Sequence, residues 1–377
     1  MKMQSLSIST RVALSLVAIC TAASAHAYDQ IIRPYESVRT SAMGGVFETT
    51  GLYDQNFFGN PARVCANPVW RFTIFDPMVE TNASAVSHVT TLAGSGNTVQ
   101  KIAETAGSDN HFRLQTTMPA WYLPANDHRK WAIAFALITS TQMDFGLRNN
   151  YEVDDQAFID VGPAITVGRK FLEDDSLAVG VTGHVAYRMN TSSPMTMQNL
   201  LNGQSFSPKY TGGEGTMIDA DIGMTKELSH WHPWGLDVTL GAAINNLSNG
   251  NFNGSLIHPV NAPNRAQSMY RAYGGGVSVH NAGWGIFRDP VLALETSDIG
   301  TRNSNGSFFR TIHMGGETRL IHILLARLGV NQGYITAGLG IDLKLVTIDV
   351  STYGEELGLN DGVNQDRRYA LKVALQL

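Results

Sequence analysis

Val346-Thr347-Ile348-Asp349-Val350-Ser351-Thr352 places an apolar side chain at every second position and a polar one between. Residues 369–377 repeat the rule, with Tyr369, Leu371, Val373, Leu375 and Leu377 on one face and Ala370, Lys372, Ala374 and Gln376 on the other. Side chains of a strand alternate between its two faces, so each stretch is a ribbon with one apolar and one mixed or polar surface. A terminal strand this regular would remain an open edge unless it paired back to the first strand, which is the geometry of a closed barrel. The fold then turns on whether the apolar face looks into a core or out into lipid.

The other end of the chain speaks for export. Lys2 and Arg11, the apolar run Val12 to Cys20 and the closing Ala25-His26-Ala27 form a secretory leader over residues 1–27, cut before Tyr28. Ile19 stands before Cys20 where a lipoprotein signal needs a small residue, so no lipid anchor is expected there. The remaining cysteine, Cys65, has no partner for a disulfide or a multi-cysteine zinc site. Net charge is −5, and more negative once Lys2 and Arg11 leave with the leader. That excludes the basic balance of a nucleic-acid binder. No stretch after the leader reaches the roughly 18 apolar residues of a membrane helix. Glycine is abundant at 37 residues and charged residues make up only 16%, with hydrophobicity spread evenly. An exported, glycine-rich chain of alternating strands is the pattern of a transmembrane antiparallel β-barrel in the outer membrane of a Gram-negative bacterium. A secreted β-sandwich or β-solenoid is the competing class.

Fourteen strands are expected from alternation and turn punctuation over residues 69–377, the barrel domain. Connections after even-numbered strands are short: 124–129, 172–175, 229–234, 281–289, 319–323 and the 344 region. Those after odd-numbered strands include the long ones, 81–111, 141–155, 189–215, 247–269 and 354–366, the Gln332-Gly333 link being the exception. Short turns on one side and long loops on the other favour the barrel, because a sandwich has no reason to sort its loops by length. Two loop stretches, Thr98 to Ala106 and Met195 to Gly203, read as partly helical. Trp70, Trp131, Tyr187, Trp234, Tyr270 and Tyr369 fall near strand ends, where interfacial aromatic girdles lie.

Residues 28–68 lack alternation and carry Gly44, Gly45, Asn60, Pro61 and Ala62 within Gly/Pro-rich punctuation. Irregular backbone of this length is accommodated at membrane depth only inside protein or a wet lumen, so the segment is either a plug within the barrel or a periplasmic cap. Pro163, after Gly162, falls in mid-strand and cannot donate to the ladder, so the wall is expected to kink there. Such a kink is either a lateral opening for a lipid-like solute or an ordinary bulge; Pro77 and Pro119 raise the same question. Asp219, Asp221, Thr225, Asp237, Thr239, Asn245, Asp349, Ser351, Lys372 and Gln376 occupy lumen-facing positions. Signatures of catalysis are missing: His230-Trp231-His232 lacks a carboxylate, Gly274-Gly275-Gly276 precedes no helix, and no G-x-S-x-G, H-E-x-x-H or C-x-x-C occurs. No enzyme activity, metal or cofactor is expected.

Ser41-Ala42-Met43-Gly44-Gly45-Val46-Phe47 with Asn60-Pro61-Ala62 resembles the N-terminal signature of the FadL-like outer-membrane superfamily, which includes PorV-like and TraF-like branches. Arg327 to Tyr334, Thr336 to Gly340 and Tyr353 to Gly358 are similar to its closing strands. The final Leu377 departs from the terminal Phe of many barrel assembly signals. The resemblance implies a fourteen-stranded barrel with residues 28–68 folded inside as a hatch. It further implies passive uptake of small hydrophobic molecules or, as the alternative, a scaffold role in a secretion or conjugation apparatus. The partners so implied are outer-membrane lipid, a hydrophobic small-molecule ligand and, for the alternative, a secretion-apparatus protein.

Overall fold

Strands form where polar and apolar residues alternate, and the structure, a computed structural model, joins them into one closed sheet. It describes residues 33–93, 107–147, 152–191, 195–196, 202, 212–231, 236–254, 261–301, 307–358, 361–362 and 364–377. The expected leader over residues 1–27 and its cleavage point lie outside the described residues. In chain order the strands are β1 (Arg71–Phe75 and Met78–Asn82), β2 (Asp109–Thr116 and Ala120–Leu123), β3 (Trp131–Leu147), β4 (Glu152–Phe171) and β5 (Leu177–Thr191). They continue as β6 (Gly212–Trp231), β7 (Leu236–Asn245), β8 (Ala272–His280), β9 (Phe287–Ile299) and β10 (Ile312–Leu320). The last four are β11 (Leu324–Asn331), β12 (Tyr334–Asp342), β13 (Val346–Glu356) and β14 (Gln365–Gln376).

Each strand pairs antiparallel with the next, and β14 returns to β1 through Arg368↔Asn82 to Lys372↔Met78 and through Thr73↔Gln376. Phe72 and Leu377 exchange backbone bonds of 2.9 and 2.8 Å and complete the seam. The result is an all-β, closed, fourteen-stranded antiparallel barrel without a free edge. Among the described residues no helix is long and apolar enough to cross a membrane.

The inside and outside of the barrel invert those of a soluble protein. Ile218, Leu292 and Ile335 are 70% exposed or more, while Asp219, Glu295 and Thr336 on the same strands are buried. An apolar exterior over a polar interior belongs to a wall that faces hydrocarbon. Trp70, Trp131, Tyr270 and Tyr369 are exposed; Trp234 lies outside the described residues.

Two readings of the loops need correction. β3 and β4 pair continuously up to Leu147↔Val153, so most of the expected 141–155 loop is strand, and 148–151 lie outside the described residues. Ser140 and Gln142 face inward while Thr139 and Thr141 also carry hydroxyls outward, and this erases the apolar–polar contrast without ending the strand. Of the helical expectation at Met195 to Gly203, Met195–Thr196 is instead a short strand against Glu152–Val153, and most of the rest lies outside the described residues, as does Thr98 to Ala106. A helix, Ala83–Ala93, does follow β1, ending before that second stretch begins.

Pro77 and Pro119 separate the two arms of β1 and of β2. The carboxylate of Asp76 fills the break by accepting Thr117 N–H at 2.8 Å.

Candidate functional site

Residues 33–68 pack against the inner wall as a chain of short turns. α1 (Val38–Ala42) lies against β12 and β13, and 3₁₀ turns follow at Tyr53–Phe57 and Pro61–Ala66. Asn60 starts the second, its side chain accepting Ala62 N–H at 3.0 Å, with Pro61 at the first helical position where its missing N–H costs nothing. Gly44 and Gly45 adopt φ of +73° and +87°, the left-handed region that suits glycine.

The wall makes room for this segment with glycine. Gly168, Gly180 and Gly223 are register partners across β4, β5 and β6. A Cβ on Gly180 would lie 2.5 Å from Pro61 C, and one on Gly223 would lie 2.0 Å from Asn60 Oδ1. A second pair, Gly315↔Gly329 on β10 and β11, receives Met43 and Gly44 in the same way, with a Cβ on Gly315 at 2.0 Å from Met43 O. Thus Gly44, Pro61 and Ala62 meet the wall backbone to backbone, Asn60 meets Gly223 through its side chain, and Gly45 faces the side chains of His313, Arg33 and Asn331.

Polar clamps hold the segment between these rows. Glu295 on β9 accepts the N–H groups of Phe47, Glu48 and Thr49 at 2.7, 2.8 and 2.8 Å and the Thr49 hydroxyl at 2.5 Å. Arg39 reaches Glu317 at 2.9 Å; Arg327 bridges Glu317 at 2.6 Å and Asp349 at 2.5 Å. Lys372 pairs with Asp54 at 2.7 Å and with Asp76 at 3.2 Å. Arg33 meets Asp298 at 2.8 Å. Burial lifts the Glu36 carboxyl to about 7 and, reinforced by the Glu295 charge, holds that of Glu48 well above the usual carboxylate range. Burial also raises the Cys65 thiol to about 12, which makes it inert.

The remaining lumen residues divide by position. Asp219 accepts Ser248 N–H and Gly250 N–H, both at 2.8 Å, and draws the 246–254 stretch inward. Asp221 accepts Asn246 N–H at 2.7 Å and faces His184 Nδ1 at 3.3 Å. Asp237 does not join them, being half-exposed and 3.6 Å from His280. Thr225, Thr239, Ser351 and Gln376 are buried.

Between segment and wall lies a cavity of about 110 Å³. Tyr35, Phe47, Phe57 and Phe58 supply aromatic surface from the segment, and His184, Asp221, Asn245 and Tyr270 supply the wall side. Tyr35 and Phe58 stack with ring centroids 5.0 Å apart. A smaller recess, about 20 Å³, shares Tyr35, Phe57, Phe58 and His184 and extends to Gly162. At that place the β4–β5 ladder skips from Val161↔Tyr187 to Ala164↔His184, and a Cβ on Gly162 would fall 1.7 Å from Val185 O. Pro163 supplies no N–H, so pairing lapses at the point where the recess touches the wall.

Several residues here escape a reading of the sequence. Glu295 is one; another is Arg188, fully buried, which pairs with Asp160 at 2.5 Å and lies over the Phe158 and Phe252 rings. Inward parity marks both as lumen residues; Asp160 is Arg188's register partner on the next strand, but Phe252 and, for Glu295, Phe47 to Thr49 come from distant stretches. Among the described residues no group of His, Cys, Asp and Glu could hold a metal ion. His232 lies outside them.

No family model and no curated protein matches this chain. Solved structures do resemble it. The toluene transporter TbuX of Ralstonia pickettii superposes with a TM-score of 0.53 at 12% identity, over 93% of this chain and 98% of that one. A deletion mutant of the monoaromatic hydrocarbon channel TodX gives 0.51 at 11% identity, over 90% and 98%. At these identities the likeness shows the fold alone, a barrel of the kind these two channel proteins have.

Proposed function

We propose that this chain is an outer-membrane channel for passive uptake of small hydrophobic molecules, with residues 33–68 as its hatch. The observation that carries the reading is the aromatic-lined cavity and its continuation to the lapsed pairing at Gly162 and Pro163. At about 110 Å³ it approaches the roughly 150 Å³ of an apolar cavity that admits benzene. A solute entering from the long-loop side would partition onto Tyr35, Phe57 and Phe58, then leave sideways through the wall into lipid. Lateral exit spares an apolar solute the wet, charged lumen below, and burial of apolar surface drives each step without energy input. The similar structures support the reading, since one is of a toluene transporter and the other of a monoaromatic hydrocarbon channel.

Uptake of labelled toluene and of a labelled fatty acid, compared between cells lacking the protein and cells carrying it, tests this directly. The expected result is faster uptake of at least one when the protein is present. Equal rates for both overturn the channel; co-purification with a secretion partner would then point to a scaffold.

A further inference from the structure

Resting on that uptake reading, we propose that the cavity selects a small aromatic solute bearing a hydroxyl, a phenol-like molecule, over a hydrocarbon of the same shape. Two residues that line the cavity each carry a buried polar atom without a hydrogen-bond partner among the described residues, Asn245 Oδ1 and His184 Nε2.

The orientation of both is fixed by what lies behind them. Asn245 donates through Nδ2 to Phe58 O at 3.2 Å, and only the amide nitrogen can face a carbonyl. Its oxygen is therefore an acceptor and nothing else. His184 turns Nδ1 toward Asp221, whose other oxygen is occupied by Asn246 N–H, so Nε2 is left for a ligand. The two residues belong to β5 and β7, on either side of β6: Asn245 follows Ile244, the register partner of Ile222, and so lies beside Asp221, whereas His184 is the register partner of Asp219 and reaches Asp221 diagonally.

Chemistry narrows the ligand. A hydroxyl has one proton: it donates this to Asn245 Oδ1 and accepts from Nε2–H of a protonated His184 ring, whose Nδ1–H faces Asp221. A carboxylate has no proton for Asn245 and would sit beside Asp221. A methyl group offers neither and leaves both buried atoms unmet, a cost of the kind by which hydrogen-bonding sites reject analogues lacking the group. Both atoms are closed to solvent, so a hydroxyl that reaches them meets no competing water. The aromatic walls hold the ring, and His184, register partner of Ala164, holds the hydroxyl next to the gap at Pro163.

The test is ¹⁹F NMR titration of the full-length purified protein in detergent with 4-fluorophenol and 4-fluorotoluene, which exchange a hydroxyl for a methyl. Saturable binding of 4-fluorophenol about tenfold tighter than 4-fluorotoluene is expected. The preference should fall toward one in Asn245→Leu and in His184→Leu, each checked for folding by heat-modifiable electrophoretic mobility. Equal affinity in the wild-type protein, which needs no variant to fold, overturns the hydroxyl preference and leaves the channel standing. Absence of saturable binding for both ligands overturns the cavity as an aromatic site and with it the hydroxyl preference, while the uptake assay decides the channel separately.

Discussion

Replacing Glu295 by alanine should release the N-terminal segment from the wall. The carboxylate accepts three backbone N–H groups and one hydroxyl, all from Phe47 to Thr49 and all at 2.8 Å or less. Bonds to a charged acceptor contribute about 1.5–3 kcal/mol each, and a buried N–H left without a partner costs about 1–3 kcal/mol. Water can enter the space vacated by the side chain and recover part of this, so a net loss of about 4–6 kcal/mol is expected, roughly a thousandfold or more in the equilibrium for release. Glu295→Gln keeps one acceptor oxygen without the charge and should fall between. Arg39 and Arg63 lie within the segment and are largely shielded, which makes trypsin a reporter. Cleavage at these residues and conductance in a planar bilayer should both rise in Glu295→Ala, with the barrel still folded. Protection and conductance equal to the wild type would refute the idea that this clamp seats the segment.

Other outcomes rest on the same geometry. Gly180→Val puts a side chain where Pro61 backbone lies and should displace the Asn60–Ala66 turn, costing about 1–3 kcal/mol or more of its docking; trypsin cleavage at Arg63 checks it. Glu36 carries a folded-state pKa of about 7 against an ordinary 4.5, so between these values the docked state binds more protons and its stability falls as pH rises, by about 3 kcal/mol in full. Protection factors of residues 33–42, with the intrinsic base-catalysed exchange rate divided out at each pH, should therefore be highest near pH 4.5 and fall through pH 7, and Glu36→Gln should flatten the profile. Lys372→Met leaves Asp54 and Asp76 facing each other without their cation, a loss of about 3–5 kcal/mol that a thermal melt would read as a lowered Tm.

The closing strands are legible because lipid outside and water inside impose opposite demands on successive residues. Val350 and Leu371 are exposed while Ser351 and Ala370 are buried, as their alternation predicts. Where both faces carry hydroxyls, as over Thr139–Gln142, the contrast vanishes and the sequence makes β3 look shorter than it is. The helix Ala83–Ala93 is hard to see because Ala83-Ser84-Ala85 to Thr90-Thr91 offers small and hydroxyl-bearing residues with no strong helical stripe. The site is harder still. Gly168, Gly180 and Gly223 pass for mere composition, although their shared inward parity is a signal that something approaches closely there. Glu295 looks in sequence like any lumen carboxylate, and only the return of Phe47–Thr49 across the barrel gives it a role. Gly162 and Pro163 are visible because proline removes a ladder donor by covalent structure alone.

The most direct measurement ties the segment to the wall reversibly. Ser41 Oγ and Ser351 Oγ lie 2.8 Å apart, so Ser41→Cys with Ser351→Cys should form a disulfide, while buried Cys65 stays out of the exchange. Uptake of labelled toluene is then measured in one preparation, oxidised and after reduction. Movement of the segment as a hatch predicts slow uptake when oxidised and recovery on reduction; the same rate in both states would contradict it.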